Sequence, residues 1–91
     1  MITEARNSFL HDVKKIVSPT VKMNVEAAIL SVKQANNIKD IPELKKLKGY
    51  KKDIFYRIAV GDYRIGVTIE NDTVTFVTLR HRKDIYKFFP R

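Results

Sequence analysis

Hydrophobic residues change their spacing near Phe55, from a helical period of about 3.6 to a strand period of two. Upstream of that point, apolar positions recur at helical spacing in two stretches, residues 9–17 and 21–32. Downstream they alternate with polar positions in three runs that are rich in β-branched and aromatic side chains. The pattern predicts an α+β fold, in which an N-terminal helical hairpin packs on one face of a small, mainly antiparallel sheet.

The first predicted helix begins at Asn7 or Ser8, either of which can cap it with a side-chain oxygen. Its buried stripe is expected to comprise Phe9, Val13, Ile16 and Val17. Polar residues fall outside that stripe, namely Asp12, Lys14 and Lys15. Residues 1–5 precede this helix and are a candidate edge strand.

The second predicted helix spans residues 19–35 and follows the first after a very short turn. Ser18 is a good N-cap, and Pro19 suits the first helical position, where its missing N–H costs no hydrogen bond. The residues expected on its buried face are Val21, Val25, Ala28, Ile29 and Val32. The two helices together form the predicted hairpin.

Residues 38–52 are expected to connect the helices to the sheet. Pro42 blocks a continuous helix, so we expect at most a single helical turn over residues 42–46. A run of lysines surrounds Gly49 and Tyr50, formed by Lys45, Lys46, Lys48, Lys51 and Lys52. Two interpretations of this run stay open, a solvated surface and a contact with phosphate groups.

Two turn dipeptides, Gly61-Asp62 and Asn71-Asp72, fix the expected register of the strands. The first turn predicts the pairs Val60–Tyr63, Ala59–Arg64, Ile58–Ile65 and Arg57–Gly66. Alternation then sends one set of side chains toward the helices: Tyr56, Ile58, Val60, Tyr63, Ile65 and Val67. The opposite face, expected to be uncovered, receives Phe55, Arg57, Ala59, Arg64, Gly66 and Thr68.

The second turn extends this register to a third strand. It predicts that Glu70 pairs with Thr73 and that Leu79 lies beside Arg64. Val74 and Phe76 would join the core, while Thr75 and Val77 would line the uncovered face. A bulge near His81 is needed to bring Arg82 to the same side as Arg57 and Arg64.

Composition adds a strong positive charge to this picture. The 91 residues, expected to form one domain over residues 1–91, include 18 Lys and Arg against 10 Asp and Glu, a formal net charge of +8. Such an excess favours nucleic acid or an acidic protein as the partner. The chain has no cysteine, no readable signal peptide and no apolar run near the roughly 20 residues that span a bilayer. A cytoplasmic protein without membrane association is therefore expected.

Candidate chemistry is concentrated in a polar cluster at the end of the last strand. The chain has no glycine-rich phosphate loop, no metal-ligand spacing and no Ser-His-Asp order, so neither a metal nor a cofactor is expected. The remaining candidates are Arg57, Arg64, His81, Arg82 and Tyr86. Arginine forks match phosphate oxygens, and His81 and Tyr86 can carry protons, which suits RNA cleavage by its own 2′-hydroxyl. A basic face that binds RNA or protein without turnover fits the same residues.

Four segments, in their order and spacing, resemble the RelE/ParE superfamily of toxins from bacterial toxin–antitoxin pairs. They are Leu47-Lys48-Gly49, Tyr56-Arg57-Ile58, Val60-Gly61-Asp62-Tyr63-Arg64 and His81-Arg82-Lys83-Asp84-Ile85-Tyr86. The resemblance covers nearly the whole chain, because the helical hairpin before the sheet also fits. RelE-like members enter the ribosomal A site and cut messenger RNA without a metal, whereas ParE-like members inhibit DNA gyrase. A folded partner antitoxin neutralises either kind.

The resemblance also implies roles for individual residues. Arg64 matches the strand arginine that holds the phosphate, Arg82 the arginine of the C-terminal strand, and Tyr86 the C-terminal tyrosine of the RelE-like site. Arg57 matches a basic position on the second strand of the family sheet, whereas Ala59 departs from the Lys or Arg that many RelE-like members carry. The catalytic set is completed by His81. The remaining residues expected to contact RNA are Lys48, Lys51, Lys52, Arg80 and Lys83.

The function expected from this resemblance is ribosome-dependent, metal-independent cleavage of messenger RNA, which inhibits translation. The partners expected are the ribosome, messenger RNA and an acidic or amphipathic cognate antitoxin. Two alternatives stay open. One is a ParE-like inhibitor that binds gyrase and cleaves nothing, and the other is a non-toxic basic binding module.

Overall fold

Helices and strands follow the order that the hydrophobic pattern predicts, with a short strand and a C-terminal helix added. A computed structural model of the protein describes residues 1–90. Its elements are β1 (Ile2–Ala5), α1 (Asn7–Lys14), α2 (Pro19–Gln34), β2 (Leu44–Lys46), β3 (Phe55–Val60), β4 (Tyr63–Glu70), β5 (Thr73–His81) and α3 (Ile85–Phe88). The predicted α+β class is confirmed, and residues 1–90 contain no helix long and apolar enough to cross a lipid bilayer.

The strands of residues 1–90 form one five-stranded sheet in the order β1-β5-β4-β3-β2. The candidate edge strand is confirmed as β1, which pairs in parallel with β5, from Ile2 opposite Thr73 to Ala5 opposite Phe76. All other neighbours are antiparallel. Because β1 ends at Ala5, the C-terminal half of β5 has no strand on that side, and α1 packs there instead.

The helical hairpin covers one face of this sheet and forms the core with it. Phe9 of α1 stacks on Phe76 of β5, with ring centroids 5.3 Å apart. Val25 and Val32 of α2 are fully buried, as the spacing predicts, and Ile65 is fully buried beneath them in β4. The apolar residues that alternate along β3, β4 and β5 meet the helical stripes in one continuous cluster.

The first helix is shorter than predicted and starts differently. Ser18 caps α2 as expected, its Oγ accepting from the Val21 N–H at 3.3 Å. Arg6 occupies the N-cap position of α1, and no side chain within residues 1–90 caps that helix. Ser8 donates its hydroxyl to the carbonyl of Val77 instead. α1 ends at Lys14, so Val17 lies in the turn and is 90% exposed, contrary to the prediction. The residue before a proline favours an extended backbone, and the helix therefore ends before the proline is reached.

The predicted helical turn over residues 42–46 is wrong. A 3-10 turn forms earlier, over Ile38–Asp40, and the chain then enters strand β2. β2 pairs with the outer edge of β3, with Leu44 opposite Ile58 and Lys45 opposite Arg57. The open backbone groups of β3 offer this segment a ladder of hydrogen bonds that an isolated helical turn cannot match.

The register of the first hairpin is confirmed pair by pair. β3 and β4 align as Val60–Tyr63, Ala59–Arg64, Ile58–Ile65 and Arg57–Gly66. The second turn is also confirmed, since Asn71 and Asp72 adopt φ angles of 48° and 63° and Glu70 pairs with Thr73. Positive φ at both turn residues gives the twist that a two-residue hairpin needs.

A bulge at Val77 shifts the rest of the third strand by one residue. Val67 lies opposite Phe76 and Gly66 opposite Thr78, so Val77 has no partner across the pair. Leu79 consequently opposes Ile65 in the core, and Arg80 opposes Arg64. The prediction that Leu79 lies beside Arg64 is therefore wrong, and the bulge lies at Val77 rather than near His81.

Candidate nucleic-acid interface

The face of the sheet opposite the helical hairpin is partly covered, contrary to the expectation of an open surface. After β5 the chain turns back across this face, so that Ile85 is 0% and Phe89 3% exposed. These two side chains and Leu47 form a second apolar cluster against Phe55 and Val77. The cover leaves the arginines at one end of the face accessible.

Gly66 leaves the space in which this C-terminal segment packs on the sheet. A Cβ atom built on Gly66 would lie 2.7 Å from Cγ of the Phe89 ring, closer than real side chains approach. A glycine is therefore needed because of the close approach of the ring rather than for a special backbone angle. The sequence placed Gly66 on a face expected to be uncovered, whereas Phe89 covers it there.

Three arginines of this face lie on adjacent strands. Arg64 is directly opposite Arg80 across the β4–β5 pair, and Ala59 is directly opposite Arg64 across the β3–β4 pair. Directly opposed residues in an antiparallel sheet have Cβ atoms about 4.5–5.5 Å apart. Arg57 is the diagonal neighbour of Arg64 and is itself opposite Lys45. The strands thus bring Arg57, Arg64 and Arg80 onto one surface.

Arg64 and Arg82 converge on the turn between β3 and β4. Nη1 of Arg64 donates to the carbonyl oxygens of Gly61 and Tyr63, at 2.8 Å each. Arg82 follows the end of β5, where its backbone N–H donates to the Asp62 carbonyl at 2.7 Å. Its Nε lies 3.8 Å from a carboxylate oxygen of Asp62. Both predicted arginines are therefore held at the same end of the sheet.

Arg80 is the most constrained of these cations. Its Nη2 lies 3.7 Å from Oδ1 of Asp12, and its Nε donates to Oγ1 of Thr78 at 3.4 Å. Its guanidinium carbon also lies 3.9 Å from the centre of the Phe88 ring, a cation–π contact. Sequence reasoning placed Arg80 among the RNA-contacting residues without recognising that two helices hold it.

His81 lies on the other face of the sheet from these arginines. It is opposite Tyr63, which packs against the main core, and the two ring centroids are 5.7 Å apart. Its Nδ1 accepts from the backbone N–H of Lys83 at 3.2 Å. The structure therefore does not bring His81 together with Arg64 and Arg82, and its proton-transfer role stays a prediction.

Tyr86 lies beside the lysine run, in a cavity that Arg82 does not line. It is 60% exposed on α3 and, with Tyr50, lines a cavity of about 390 Å³. The other lining residues are Lys45, Lys46, Leu47 and Lys48. Lys46 bonds the carboxylate of Asp53, and this hydrogen bond raises the pKa of Lys46. Lys51, Lys52 and Lys83 are exposed outside this cavity.

The cavity and the arginines form one continuous surface, because Lys45 at the cavity is opposite Arg57 on β3. We refer to this surface as the basic band, which comprises Lys45, Lys48, Arg57, Arg64, Arg80 and Arg82. Guanidinium groups bind phosphate oxygens through paired N–H donors, and exposed tyrosines stack on nucleobases. Lys, Arg and Tyr side chains in this arrangement can hold a single-stranded nucleic acid along the sheet.

The helical hairpin, the five-stranded sheet and the basic band together are those of a toxin from a type II toxin–antitoxin system. A sequence model described as the ParE toxin of the type II toxin–antitoxin system parDE matches residues 4–86. The chain therefore belongs to the ParE toxin family, which confirms the resemblance found in the sequence.

Individual relatives within this superfamily carry RelE and YoeB names. Toxin RelE3 of Methanocaldococcus jannaschii is 36% identical over 84 residues, which are 91% of this chain and 92% of the relative. A chain from the RelB–RelE antitoxin–toxin complex of Methanococcus jannaschii superposes with a TM-score of 0.76 at 33% identity, covering 96% and 99% of the two chains. The YoeB dimer of Staphylococcus aureus shares the fold, with a TM-score of 0.70 at 12% identity and coverage of 89% and 95%. The chain is thus a RelE-like toxin.

Proposed function

We propose that this toxin acts in the cytoplasm, where it cleaves messenger RNA on the ribosome and so inhibits translation. The observation that carries this proposal is the convergence of Arg64 and Arg82 on the β3–β4 turn, at one end of the basic band. Two relatives support the proposal. Toxin RelE3 and the chain from the RelB–RelE complex each share about a third of their residues with this chain, and both carry the RelE name. Residues 1–91 would act as one domain.

The proposed reaction is a transfer of the phosphate within the RNA itself. The 2′-hydroxyl oxygen attacks the adjacent phosphorus, the bond from phosphorus to the 5′ oxygen breaks, and a 2′,3′-cyclic phosphate forms. One proton leaves the 2′-hydroxyl and one is delivered to the departing 5′ oxygen. Arg64 and Arg82 would act as preorganised donors that stabilise the extra negative charge on the crowded phosphate without a metal ion. Tyr86 would contact a nucleobase near the scissile bond or carry one of the protons.

A cognate antitoxin is the second proposed partner. The chain superposes on a toxin from a RelB–RelE complex, and the helical hairpin exposes apolar side chains that the core does not use. Leu10 and Leu30 are about half exposed and line two grooves that Ile29 and Lys33 also line, and Met23 of α2 is more exposed than either. An amphipathic helix with acidic residues could bury this apolar surface and neutralise part of the +8 charge. Co-expression with the neighbouring small reading frame should restore growth and yield a stable complex.

DNA gyrase is the alternative target, and two observations support it. The matching family is that of ParE toxins, and Ala59 removes a charge from the row that contains Arg64 and Arg80. The alternative function is therefore gyrase inhibition without cleavage.

Expression from a tight promoter, followed by mapping of messenger 5′ ends and a gyrase supercoiling assay, separates cleavage of messenger RNA from gyrase inhibition. New 5′ ends with normal supercoiling support the proposal, whereas intact messages with blocked supercoiling support the alternative. Intact messages with normal supercoiling would indicate a non-toxic binding module.

A further inference from the structure

Asp12 is a buried carboxylate that helical periodicity places outside the core. It is only 6% exposed, and it reaches from α1 to the free edge of β5. Its Oδ2 accepts two hydrogen bonds, from Oγ1 of Thr78 at 2.7 Å and from the backbone N–H of Leu79 at 3.0 Å. Burial of an ionised carboxylate is costly unless it is paired, so the position of its second oxygen needs an explanation.

The second oxygen faces Arg80. Oδ1 of Asp12 lies 3.7 Å from Nη2 of Arg80, and Thr78 bridges the two residues, because its Oγ1 also accepts from Nε of Arg80. The Phe88 ring contacts the guanidinium from α3. Arg80 is therefore held between α1, β5 and α3, and its side chain remains 33% exposed on the basic band.

The Asp12 carboxylate reduces a charge repulsion within the basic band. Arg64 and Arg80 are directly opposite each other, and like charges in such a pair repel. A fixed carboxylate on the far side of Arg80 offsets that repulsion and keeps the guanidinium in one orientation. If Asp12 served only to accept hydrogen bonds at the edge of β5, one oxygen would be enough, and the amide oxygen of an asparagine could provide it.

We propose that Asp12 is a positioning residue, which holds the Arg80 guanidinium beside Arg64 so that both can bind one RNA phosphate. The choice of RNA as the ligand rests on the proposed function. The positioning itself is independent of cleavage, and it can be measured by binding of a short 2′-O-methyl oligoribonucleotide, which cannot react. Asp12 does not touch the RNA in this proposal and acts only through Arg80.

Asp12→Asn tests the positioning with little change of shape. The amide oxygen can still accept from Thr78 and Leu79, while an NH2 group replaces the oxygen that faces Arg80. We expect oligonucleotide affinity to fall by about three- to tenfold, in the lower part of the range found for coupled neighbouring residues. Asp72→Asn is the matched control, because it makes the same chemical change in the exposed turn between β4 and β5. It should leave the affinity unchanged.

A double-mutant cycle with Arg80→Met separates positioning from a general structural effect. If Asp12 acts through Arg80, Asp12→Asn should cause no further loss of affinity in the Arg80→Met protein. Equal losses in both backgrounds would overturn the proposal, and so would a wild-type protein that does not bind the oligonucleotide. Should Asp12→Asn fail to fold, Thr78→Val removes the bridging hydroxyl at constant volume, and the same cycle with Arg80→Met applies.

Cleavage on programmed ribosomes distinguishes failure of this inference from failure of the proposed function. Cleavage by the wild-type protein together with wild-type cleavage and affinity of Asp12→Asn would overturn the positioning role alone. No cleavage by the wild-type protein, with a non-additive binding cycle, would support the positioning role and refute the nuclease function. With both correct, the rate of Asp12→Asn should fall roughly 10- to 100-fold, since a displaced group near the reacting atoms can cost about 100-fold.

Discussion

At the scale of single residues, the sequence identifies the charged side chains but not the contacts that fix them. Arg64 could be assigned to the face opposite the helices because the turn at Gly61 sets its register. Asp12 could not be placed, because helical spacing reports which side chains are apolar and not which polar group a distant strand edge requires. For the same reason, the contacts of Asp12 and Phe88 with Arg80 could not be predicted.

Arg64 is expected to contribute more to activity than to stability. Arg64→Ala should lower the cleavage rate by about 100-fold or more, the usual cost of removing a donor that stabilises developing charge. Arg64→Lys should also be impaired, because an ammonium keeps the charge without the paired N–H geometry. The loss of two hydrogen bonds, an exposed one to the Gly61 carbonyl and a part-buried one to the Tyr63 carbonyl, should change the free energy of unfolding by only about 1–2 kcal/mol.

Growth arrest, the cleavage rate and thermal melting together check this prediction, with Lys39→Ala in the 3-10 turn as a charge-matched control. Arg82→Ala should behave like Arg64→Ala, because both side chains lie at the same turn. Full toxicity of both folded arginine variants would exclude the active site proposed above.

Gly66 is expected to matter for stability. Gly66→Ala places a Cβ atom against the Phe89 ring, and overpacking of this kind commonly costs about 1–3 kcal/mol. For a domain of this size, each kcal/mol lowers Tm by roughly 4–8 °C. Calorimetry or chemical denaturation would measure the loss. A second variant that combines Gly66→Ala with Phe89→Leu should recover part of it, and a Tm of Gly66→Ala equal to wild type would refute the close contact.

At the scale of elements, local signals account for the hairpins and distant partners account for the rest. The capping of α2 by Ser18 and both tight turns depend on neighbours in sequence, and all were predictable. β2 forms only because β3 offers an edge, and the bulge at Val77 coincides with the hydroxyl of Ser8 on its carbonyl. These features depend on contacts between segments far apart in the chain, which periodicity does not report.

The C-terminal helix α3 presents Tyr86 to the lysine cavity, and this placement separates two roles for its side chain. Because the ring lines a cavity with Tyr50 and three lysines, and Arg82 does not line it, we expect the ring to stack on a nucleobase. Tyr86→Phe should then retain most of the cleavage rate, whereas Tyr86→Ala should weaken RNA binding by about 1–3 kcal/mol. Single-turnover cleavage measures both variants. An equal loss in Phe and Ala variants would instead assign the hydroxyl a role in proton transfer.

At the scale of the whole molecule, a third of the 18 Lys and Arg side chains behind the net charge of +8 belong to the basic band. Six of the cations lie along one surface, from Lys48 at the cavity to Arg82 at the β3–β4 turn, and four of these six are on strands of the sheet. The sequence predicted the excess of charge and the arginine face. It did not predict that the C-terminal segment would cover part of that face, because the docking of Phe89 depends on the space above Gly66.

Salt dependence tests whether the basic band contacts phosphates. Binding of a 2′-O-methyl oligoribonucleotide should weaken steeply with salt, because each neutralised phosphate releases counterions. Arg57→Gln should reduce the slope of log K against log salt by about one. Lys39→Gln, which removes a charge in the 3-10 turn beside the β4–β5 turn, should leave the slope unchanged. Equal slopes for wild type and Arg57→Gln would exclude Arg57 from the interface.

The central claim, cleavage of messenger RNA on the ribosome, is tested most directly with purified components. Ribosomes programmed with a defined message are incubated with wild-type toxin or Arg64→Ala, and the 5′ ends are mapped by primer extension. The proposal predicts cuts within the A-site codon for the wild-type toxin, no cuts in the absence of ribosomes, and at least about 100-fold slower cutting by Arg64→Ala. A message that stays intact on ribosomes with the wild-type toxin, or that is cut equally without them, would contradict it.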